Sequence, residues 1–347
     1  MFRPPFCPII GCPSRSTRSA FSWRSRGTYR RKCDGRKIKR YSCNICQKHF
    51  SVQTFKTDYR WRKPKLHFRL FEHFVSKVTM RQMARIHGVR RPTVERRLRR
   101  LGETCRRFHH QALLNHQTNG GLRGIFQLDE LETYETDRRL QPVTMPVIIE
   151  RSSYFVVHGE AAPMGARGNL TPTHTKRKLR YEIQQGIRRS GSLEAVQNSL
   201  LKLREAHSPA HRIHLQSDKK TTYRREFRRI VRAQVLCHST TSSKVRRDKE
   251  NMLFPINHTF AMMRDCISRL VRRTWAASKS RQRLNSHFWI WVAYRNYIRS
   301  ITVRAKVTPA QVIGVQNHGW TQVELLKWRW PEINVRLGHS KGPASLL

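Results

Sequence analysis

The sequence predicts an α/β fold in its larger C-terminal part, preceded by a cysteine-rich module and a helical segment. Two cysteine pairs lie near the N-terminus, and apolar residues then recur with helical spacing up to about residue 118. After Asn119-Gly120-Gly121, a predicted linker, apolar runs typical of strands alternate with helix-periodic stretches. We therefore predict four segments: 1–56, 57–118, 119–304 and a C-terminal tail, 305–347.

The cysteine pairs are Cys7 with Cys12 and Cys43 with Cys46. The two-residue gap of the second pair lets both thiolates turn toward one ion, and two pairs complete a tetrahedral sulfur site that suits Zn²⁺. A closed site leaves no open position for chemistry, so we predict a structural ion in a zinc-ribbon. Cys33, between the pairs, is either a spare thiol or a competing ligand.

The charge of the chain predicts a polyanionic partner. It has 70 Lys and Arg against 22 Asp and Glu, a formal net charge of +48. Such a charge favours nucleic acid, because each neutralised phosphate releases counterions. A ribosome-associated or chromatin-like protein is the alternative. Between the cysteine pairs lie 11 Lys and Arg and one acid, Asp34, which predicts a basic finger that contacts phosphates.

Neither a membrane nor a secretory role is expected. No stretch reaches the roughly 20 apolar residues of a spanning helix, and Met1 to Pro13 lacks the apolar core of a signal peptide. We expect a cytoplasmic, nucleoid-associated protein of bacterial type, with no small-molecule cofactor.

The segment from Phe68 to Arg107 predicts helices. Thr79 can cap a helix over Met80 to His87, Gly88 supplies a turn, and Pro92 suits the first turn of a further helix. This pattern is typical of a helix-turn-helix, and a small helical bundle with a solvated basic face is the alternative. In the first case a row of arginines faces outward into a DNA groove: Arg91, Arg96, Arg97, Arg99 and Arg100.

The C-terminal part predicts five strands: Ile125–Leu131, Val143–Ile149, Tyr154–Gly159, His211–Gln216 and Ala233–His238. It also predicts three helices: Ser192–Ala206 with Ser192 as a cap, Tyr223–Arg232, and a long one over Pro255–Trp275. We expect the basic stretch Arg167–Arg180 to be a loop.

Two acids stand out in this acid-poor chain. Asp129 lies within the first strand and Asp218 directly after a later one. Phosphodiester chemistry uses divalent cations, and Mg²⁺ prefers carboxylate oxygens, so the pair predicts a Mg²⁺ site. On spacing alone, two surface acids that offset local arginines are an equal alternative.

The order of these features resembles the DDE/D insertion-sequence transposases, and most closely the zinc-ribbon relatives of the insertion sequence one family. The resemblance covers roughly Cys7 to Trp330. Its most specific parts are Tyr41-Ser42-Cys43-Asn44-Ile45-Cys46-Gln47-Lys48-His49-Phe50-Ser51 and Pro255-Ile256-Asn257-His258-Thr259-Phe260-Ala261-Met262-Met263-Arg264; Thr308-Pro309-Ala310-Gln311 is also similar. It implies a ribonuclease H-like fold, two Mg²⁺ ions, cleavage of transposon ends and strand transfer.

The resemblance also implies residue roles. Asp129 and Asp218 correspond to the first two metal ligands. The family usually has a glutamate on the following helix with an arginine seven residues later; here Asn257 and Arg264 hold those places. Asn257 offers Mg²⁺ a carbonyl oxygen but no charge, and Arg264 contacts scissile phosphate or braces the helix. Nearby acids are alternative third ligands: Glu250, Asp248 and Asp265, the last of which can instead pair with Arg269.

Three functions follow as hypotheses. The first is an active transposase that acts on DNA as a homo-oligomer, at least a dimer, because two transposon ends must be held together. The second is a decayed or domesticated transposase that binds DNA without cutting it. The third, a transcription regulator built on the N-terminal 115 residues, leaves the large α/β part unexplained.

Overall fold

The computed structural model describes residues 2–15, 21–55, 61–242, 244–246, 248–271 and 279–328. These residues form two compact units. One unit contains the chain up to His67 together with the described residues from Val323 onward. The other unit extends from Phe68 to Gln322.

The first unit is built on a small antiparallel sheet of three strands, β1 (Trp23–Arg30), β2 (Lys37–Cys43) and β3 (His49–Ser51), in that order. Tyr41 of β2 is fully buried and pairs in register with Phe50 of β3. Its ring lies edge-on to Trp23 at 5.0 Å between centroids. This aromatic cluster supplies the apolar interior that such a short sheet needs to stay folded.

The helices of the described chain are α1 (Leu66–Phe74), α2 (Met80–Ile86), α3 (Arg91–Thr118), α4 (Pro172–Gln185), α5 (Ser192–Ala206), α6 (Thr221–Val231), α7 (Phe254–Cys266), α8 (Arg281–Ala293), α9 (Pro309–Val312) and α10 (Gln322–Lys327). The strands of the second unit are β4 (Ile125–Tyr134), β5 (Pro142–Glu150), β6 (Val156–Gly159), β7 (Ala162–Pro163), β8 (Ile213–Asp218) and β9 (Val235–Thr241). None of the described helices combines the length and apolar character needed to cross a membrane.

The strands of the second unit form one mixed sheet in the order β6-β5-β4-β8-β9, with β7 paired to β5. Strands β4, β5 and β6 are antiparallel neighbours, whereas β4–β8 and β8–β9 are parallel. The chain between β4 and β8 contains α4 and α5, because parallel neighbours need a long crossover. The predicted α/β class is confirmed at this level.

Helices cover both faces of the central strand β4. Successive side chains of a strand point to opposite faces. Gln127 bonds to the start of α7, whereas Glu130 bonds to Ser192 of α5 and Tyr223 of α6. Helix α7 therefore lies on one face, and α5 and α6 lie on the other.

A side chain forms backbone hydrogen bonds with the edge strand β6. Asn296 accepts a hydrogen bond from the Val156 N–H at 3.0 Å and donates one to the Val156 carbonyl at 2.8 Å. Its amide thus takes the place of a neighbouring strand and satisfies an edge that would otherwise stay open. Helices α3 and α8 pack closely at Gly102, where a Cβ would lie only 2.5 Å from the Ser286 carbonyl oxygen.

The predicted cap of α2 is confirmed. The Thr79 hydroxyl accepts from the Gln82 N–H at 3.4 Å, and the Gln82 side chain accepts from the Thr79 N–H at 2.8 Å. This reciprocal pair is a capping box. The following helix begins next to Pro92, as expected, but α3 continues to Thr118, well beyond the predicted segment.

Three other predictions were wrong: the type of one element, the cap residue of α5, whose predicted bounds are confirmed, and the extent of a third element. The expected basic loop is largely helix α4, because Thr171 caps it and Pro172 occupies its first turn. Ser192 does not cap α5; Gly191 is the N-cap residue, and the Ser192 hydroxyl donates to Glu130. The long helix ends at Cys266 instead of reaching residue 275.

The early end of α7 has a simple reason. Ile267 and Leu270 continue the apolar periodicity of α7, and both are buried. Ile267, however, has an extended backbone, and Leu270 belongs to a short 3-10 turn. Periodicity alone does not distinguish these cases. Residues 272–278 of the predicted helix lie outside the described residues.

The predicted linker is a tightly packed turn. Gly121 has φ +72°, and a Cβ on it would lie 2.7 Å from the Ser208 nitrogen. Leu122 next to it exchanges backbone hydrogen bonds with Ala206 and Ser208. This turn is therefore held against the end of α5, and glycine is required there by both space and backbone conformation.

Candidate functional site

The four predicted zinc ligands come together in the first unit. Their sulfur atoms all lie within 4.8 Å of one another, with Cys7 to Cys46 at 3.7 Å and Cys12 to Cys43 at 3.9 Å. Tetrahedral Zn²⁺ with bonds of about 2.3 Å sets its sulfurs about 3.8 Å apart, so the cluster fits this ion. Cys33 is exposed and lies outside the cluster, which agrees with a spare thiol.

Local structure explains why these cysteines converge. Cys43 ends β2, and Cys46 follows in the turn that leads to β3. Burial raises the pKa of the Cys43 thiol, but hydrogen bonds from Ser14 and from the backbone of Cys46 and Ile45 outweigh it and lower the pKa to about 6. The hydrogen bond from Ser14 also lowers the pKa of Cys12, whereas burial raises the pKa of Cys7 and Cys46. Cys12 and Cys43 therefore favour the thiolate, which is the form that binds metal.

Ser14 is a supporting residue that the sequence did not reveal. It is buried, and its hydroxyl lies 3.0 Å from the Cys12 sulfur and 3.4 Å from the Cys43 sulfur. Hydrogen bonds to ligand sulfurs orient them and adjust their basicity. Its position two residues after Cys12 was the only available signal.

The predicted row of arginines on α3 is only partly exposed. Arg91, Arg96, Arg99 and Arg100 are exposed, and Arg99 forms an ion pair with Glu95 at 2.6 Å. The expected outward position of Arg97 was wrong, since this residue is buried at 5 % exposure.

Helical spacing gives the reason for the buried arginine. Arg97 lies three residues after Val94 and next to Leu98, and both apolar residues are fully buried. It therefore belongs to the inward stripe of the helix.

Asp129 and Asp218 are neighbours on parallel strands. Leu128 of β4 pairs with Ser217 of β8, so the residues one position further along each strand also lie side by side. Adjacent strands are about 4.8 Å apart, and paired residues share a face of the sheet. Both aspartates are half-buried. The two predicted acids are thus brought together.

Gln127 positions the next element against this acid pair. It is fully buried, lies on the same face as Asp129, and donates to Gln216 of β8 at 2.9 Å and to the Met252 carbonyl at 2.6 Å. Its oxygen accepts from the Ile256 N–H at 3.0 Å. The first turn of α7 is therefore tied to β4 two residues before Asp129.

Asn257 follows Ile256 directly and so lies in this first turn. It is half-buried, and its Nδ2 donates to the Leu253 carbonyl at 2.9 Å, which leaves Oδ1 as the acceptor of the amide. Arg264 lies seven residues later on α7, half-buried. Asn257 and Arg264 both belong to α7, the helix that Gln127 ties to β4.

The three acids considered as alternative third ligands lie elsewhere. Glu250 is exposed, and Asp248 lies 3.8 Å from Arg246. Asp265 is exposed and lies 3.7 Å from Lys77; its expected pairing with Arg269 was wrong, because α7 ends before Arg269, which is buried.

Among the described residues, only the four cysteines bring three or more Cys, His, Asp or Glu ligand atoms together. No third carboxylate of the described chain therefore forms a three-ligand group with Asp129 and Asp218.

Glu130 is a further acid at this end of the sheet. It accepts hydrogen bonds from Tyr223 at 3.0 Å and Ser192 at 3.2 Å, and it also contacts Thr144 and Lys220. Burial raises the pKa of Tyr223, and three nearby carboxylates raise it further: Glu130, Asp129 and Asp218. Glu130 is held on the opposite face from Asp129, and it anchors α5 and α6 to the sheet.

Two of these residues had weak signals in the sequence. Glu130 adjoins Asp129 in a chain with few acids. Gln127 is a polar residue in an apolar strand, two positions before Asp129 and therefore on the same face. No protein-family model matches the chain, and no curated protein matches it significantly.

Proposed function

We propose that this chain is a DNA transposase, which binds transposon ends and catalyses Mg²⁺-dependent DNA cleavage and strand transfer. In this proposal the mixed sheet with its helices is a ribonuclease H-like core. Helices α2 and α3 form a helix-turn-helix, and the cysteine cluster with its three strands forms a zinc-ribbon. The family resemblance of the sequence motivates all three assignments.

The observation that carries the proposal is the placement of the two aspartates. Asp129 and Asp218 occupy adjacent positions on parallel strands, and Gln127 ties the start of α7 to the same face. The surrounding chain carries a net charge of +48. A half-buried pair of acids in so basic a protein suits a metal-dependent reaction on a polyanion.

The donor set fits a hard cation. Asp129 and Asp218 offer carboxylate oxygens, and Asn257 offers an amide oxygen, all of which Mg²⁺ accepts. Bound there, Mg²⁺ would neutralise phosphate charge and activate water. Arg264, further along α7, would contact the phosphate of the scissile end. The exposed arginines of α3 and the β1–β2 hairpin would bind flanking phosphates.

The proposed reaction consists of two phosphoryl transfers. Water attacks a phosphodiester at the transposon end, the bond between phosphorus and the 3′-oxygen breaks, and that oxygen takes up a proton. The freed 3′-hydroxyl then loses its proton and attacks a target phosphodiester, which releases a target 3′-hydroxyl. Since each step exchanges one phosphodiester oxygen for another, the protein needs only to position groups and balance charge.

A second candidate is a DNA-binding relic that has lost its chemistry. The observation that favours it is the donor set itself, because the described chain places an asparagine at the start of α7 and groups no third carboxylate ligand with the aspartate pair. Such a protein would bind transposon ends as tightly as an active enzyme and leave them intact.

Cleavage of DNA taken from the gene's own flanks distinguishes the two candidates. We expect wild-type protein to nick at a defined end in Mg²⁺ or Mn²⁺, and Asp129→Asn and Asp218→Asn to abolish nicking. Glu132→Gln is the matched control, because this exposed acid on the same strand pairs with Arg167 on the protein surface. Asn257→Ala reports whether the amide is needed. If the wild-type protein binds the ends but cuts them with neither metal ion, the DNA-binding relic is the candidate function that remains.

The proposal also requires an assembly. A transposase holds two DNA ends at once, so we expect at least a dimer on paired end DNA. Analytical ultracentrifugation of the complex measures this directly, and a complex that stays monomeric on paired ends would rule the assembly out.

A further inference from the structure

A cavity of about 250 Å³ lies in the first unit, beside the tip of the β1–β2 hairpin. Its aromatic wall consists of Tyr29 at the end of β1 and Trp61. The Cys33 thiol lies 3.7 Å from the Trp61 carbonyl oxygen, which links the hairpin tip to this wall. The volume is slightly below the ~300–1,000 Å³ of pockets for drug-sized ligands, so it suits one flat ring system.

One residue that lines the cavity has a buried polar atom without a partner. Gln53 is 2 % exposed, and its Oε1 accepts a hydrogen bond from Arg31 at 2.8 Å. Because Arg31 can only donate, the amide orientation is determined, and Nε2 is the remaining donor. Nε2 is buried and has no hydrogen-bond partner among the described residues. A buried donor without a partner costs free energy, which a ligand acceptor would recover.

Cations surround the cavity. Lys32 and Arg62 are exposed and line it, whereas Arg31 is held by Asp34 as well as by Gln53. A ligand with a flat ring, acceptor atoms on its edge and an attached negative charge therefore matches the site. Nucleobases meet all three conditions, because every base has an aromatic face and edge acceptors, and each carries a backbone phosphate.

We propose that this cavity holds one unstacked nucleobase of bound DNA, stacked on Trp61 beside Tyr29 and hydrogen-bonded to Gln53, with its phosphate at Lys32 and Arg62. A base inside a duplex cannot enter such a cavity, so the site takes a nucleotide that is unpaired or turned out of the helix. This inference rests on the proposed DNA binding and specifies the form of DNA that the first unit takes.

Fluorescence anisotropy with three labelled probes tests the proposal: a short oligothymidylate, an abasic oligomer of equal length, and a matched duplex. The first two carry the same charge and differ only in their bases. Base stacking on an aromatic side chain changes affinity by about 5- to 150-fold, so we expect the thymidylate to bind tighter than the abasic oligomer by a factor in this range.

Two variants identify the cavity as the cause. Trp61→Ala removes the stacking surface, and Gln53→Glu keeps an acceptor for Arg31 but removes the donor; both should bring the thymidylate-to-abasic ratio close to one. Lys37→Gln is the control for Gln53→Glu, because it changes the charge equally at an exposed residue of β2 outside the cavity. It should weaken both oligomers alike and leave the ratio unchanged.

Alkylation of Cys33 gives a second readout that does not depend on affinity. Cys33 and Cys237 are the exposed cysteines of the described chain, so a zinc-loaded Cys237→Ser protein reports mainly on Cys33. Oligothymidylate should slow the alkylation, and the abasic oligomer should not.

The possible failures are distinguishable. A wild-type thymidylate-to-abasic ratio near one, or a ratio that both variants preserve, overturns the cavity assignment. In that case, binding of the duplex still leaves the proposed function intact. Oligouridylate serves as a fourth, RNA probe, and tighter binding and better protection of Cys33 by it than by oligothymidylate would overturn the assignment to DNA. Absence of binding to all three probes removes the proposed function as well.

Discussion

Replacement of Gln127 by leucine tests how α7 is positioned. Gln127 is fully buried and makes three hydrogen bonds, with Gln216, Met252 and Ile256. Gln127→Leu leaves three groups without this partner: the Ile256 N–H, the Gln216 side-chain oxygen and the Met252 carbonyl oxygen. Each buried polar group left unpaired costs about 1–3 kcal/mol, and some relaxation is normal, so we expect a loss of roughly 3–5 kcal/mol in the free energy of unfolding.

Gln216→Leu is the matched comparison. It removes only one of these bonds, and the Gln127 Nε2 keeps the Met252 carbonyl as a partner. We therefore expect a loss of about 1 kcal/mol. In the double variant the Gln216 oxygen no longer exists to be left unpaired, so the two losses should not add; the coupling free energy should be about 1–2 kcal/mol.

Denaturant unfolding followed by tryptophan fluorescence measures all four proteins of this cycle. DNA nicking should also fall in Gln127→Leu more than in Gln216→Leu, because only the former releases the start of α7. Equal losses for the two single variants, or additive losses in the double variant, would refute the assigned hydrogen-bond network. Normal nicking by a folded Gln127→Leu protein would refute its positioning role.

Three further predictions follow. Freshly purified protein should contain one Zn²⁺ per chain by elemental analysis; Cys12→Ser should lose it and Cys33→Ser retain it, and the opposite pattern would contradict the assigned ligands. Burial lowers the pKa of His109 to about 4 and of His158 to about 3. These histidines are neutral in the folded protein but gain protons in the unfolded chain below about pH 6.5. Their contribution to stability should be fully present above that pH and fall by roughly 4 kcal/mol between pH 7 and pH 5; burial also lowers the pKa of His287 and His110, which adds to the fall. Denaturant midpoints at the two pH values measure this, and equal midpoints would be inconsistent with it. Thr79→Ala should cost about 1 kcal/mol by loss of the capping box, visible as faster hydrogen exchange in α2; unchanged exchange would mean that the cap does not stabilise this helix.

The sequence predicted most elements of the sheet because their apolar runs are buried. All of β5 is buried, as its continuous apolar run over Val143 to Ile149 suggested. Helix α4 was not predicted because it has no buried residue and therefore lacks the apolar stripe on which helix prediction depends. The Thr171-Pro172 start was a better guide than the surrounding charge.

The candidate sites were predictable where chemistry restricts the residue type. Four cysteines at ligand spacing and two aspartates at strand positions were both found in this way. The supporting residues were not, because their roles depend on contacts between distant segments. Gln127 meets α7 across 129 residues of sequence, and Glu130 meets Tyr223 across 93.

The parallel pairing of β4 with β8 also constrains how the protein acquires its acid pair. Gln127 and Gln216, the paired residues just before the two aspartates, are 89 residues apart in the chain, whereas β4, β5 and β6 are sequential neighbours. Local antiparallel pairs close short loops and can form early; the contact between β4 and β8 closes a long one and forms late. A partly synthesised or partly folded chain thus has its basic surface before its carboxylates meet. Under the proposed function, such a chain already binds nucleic acid, but it gains the paired acids only when the sheet is complete.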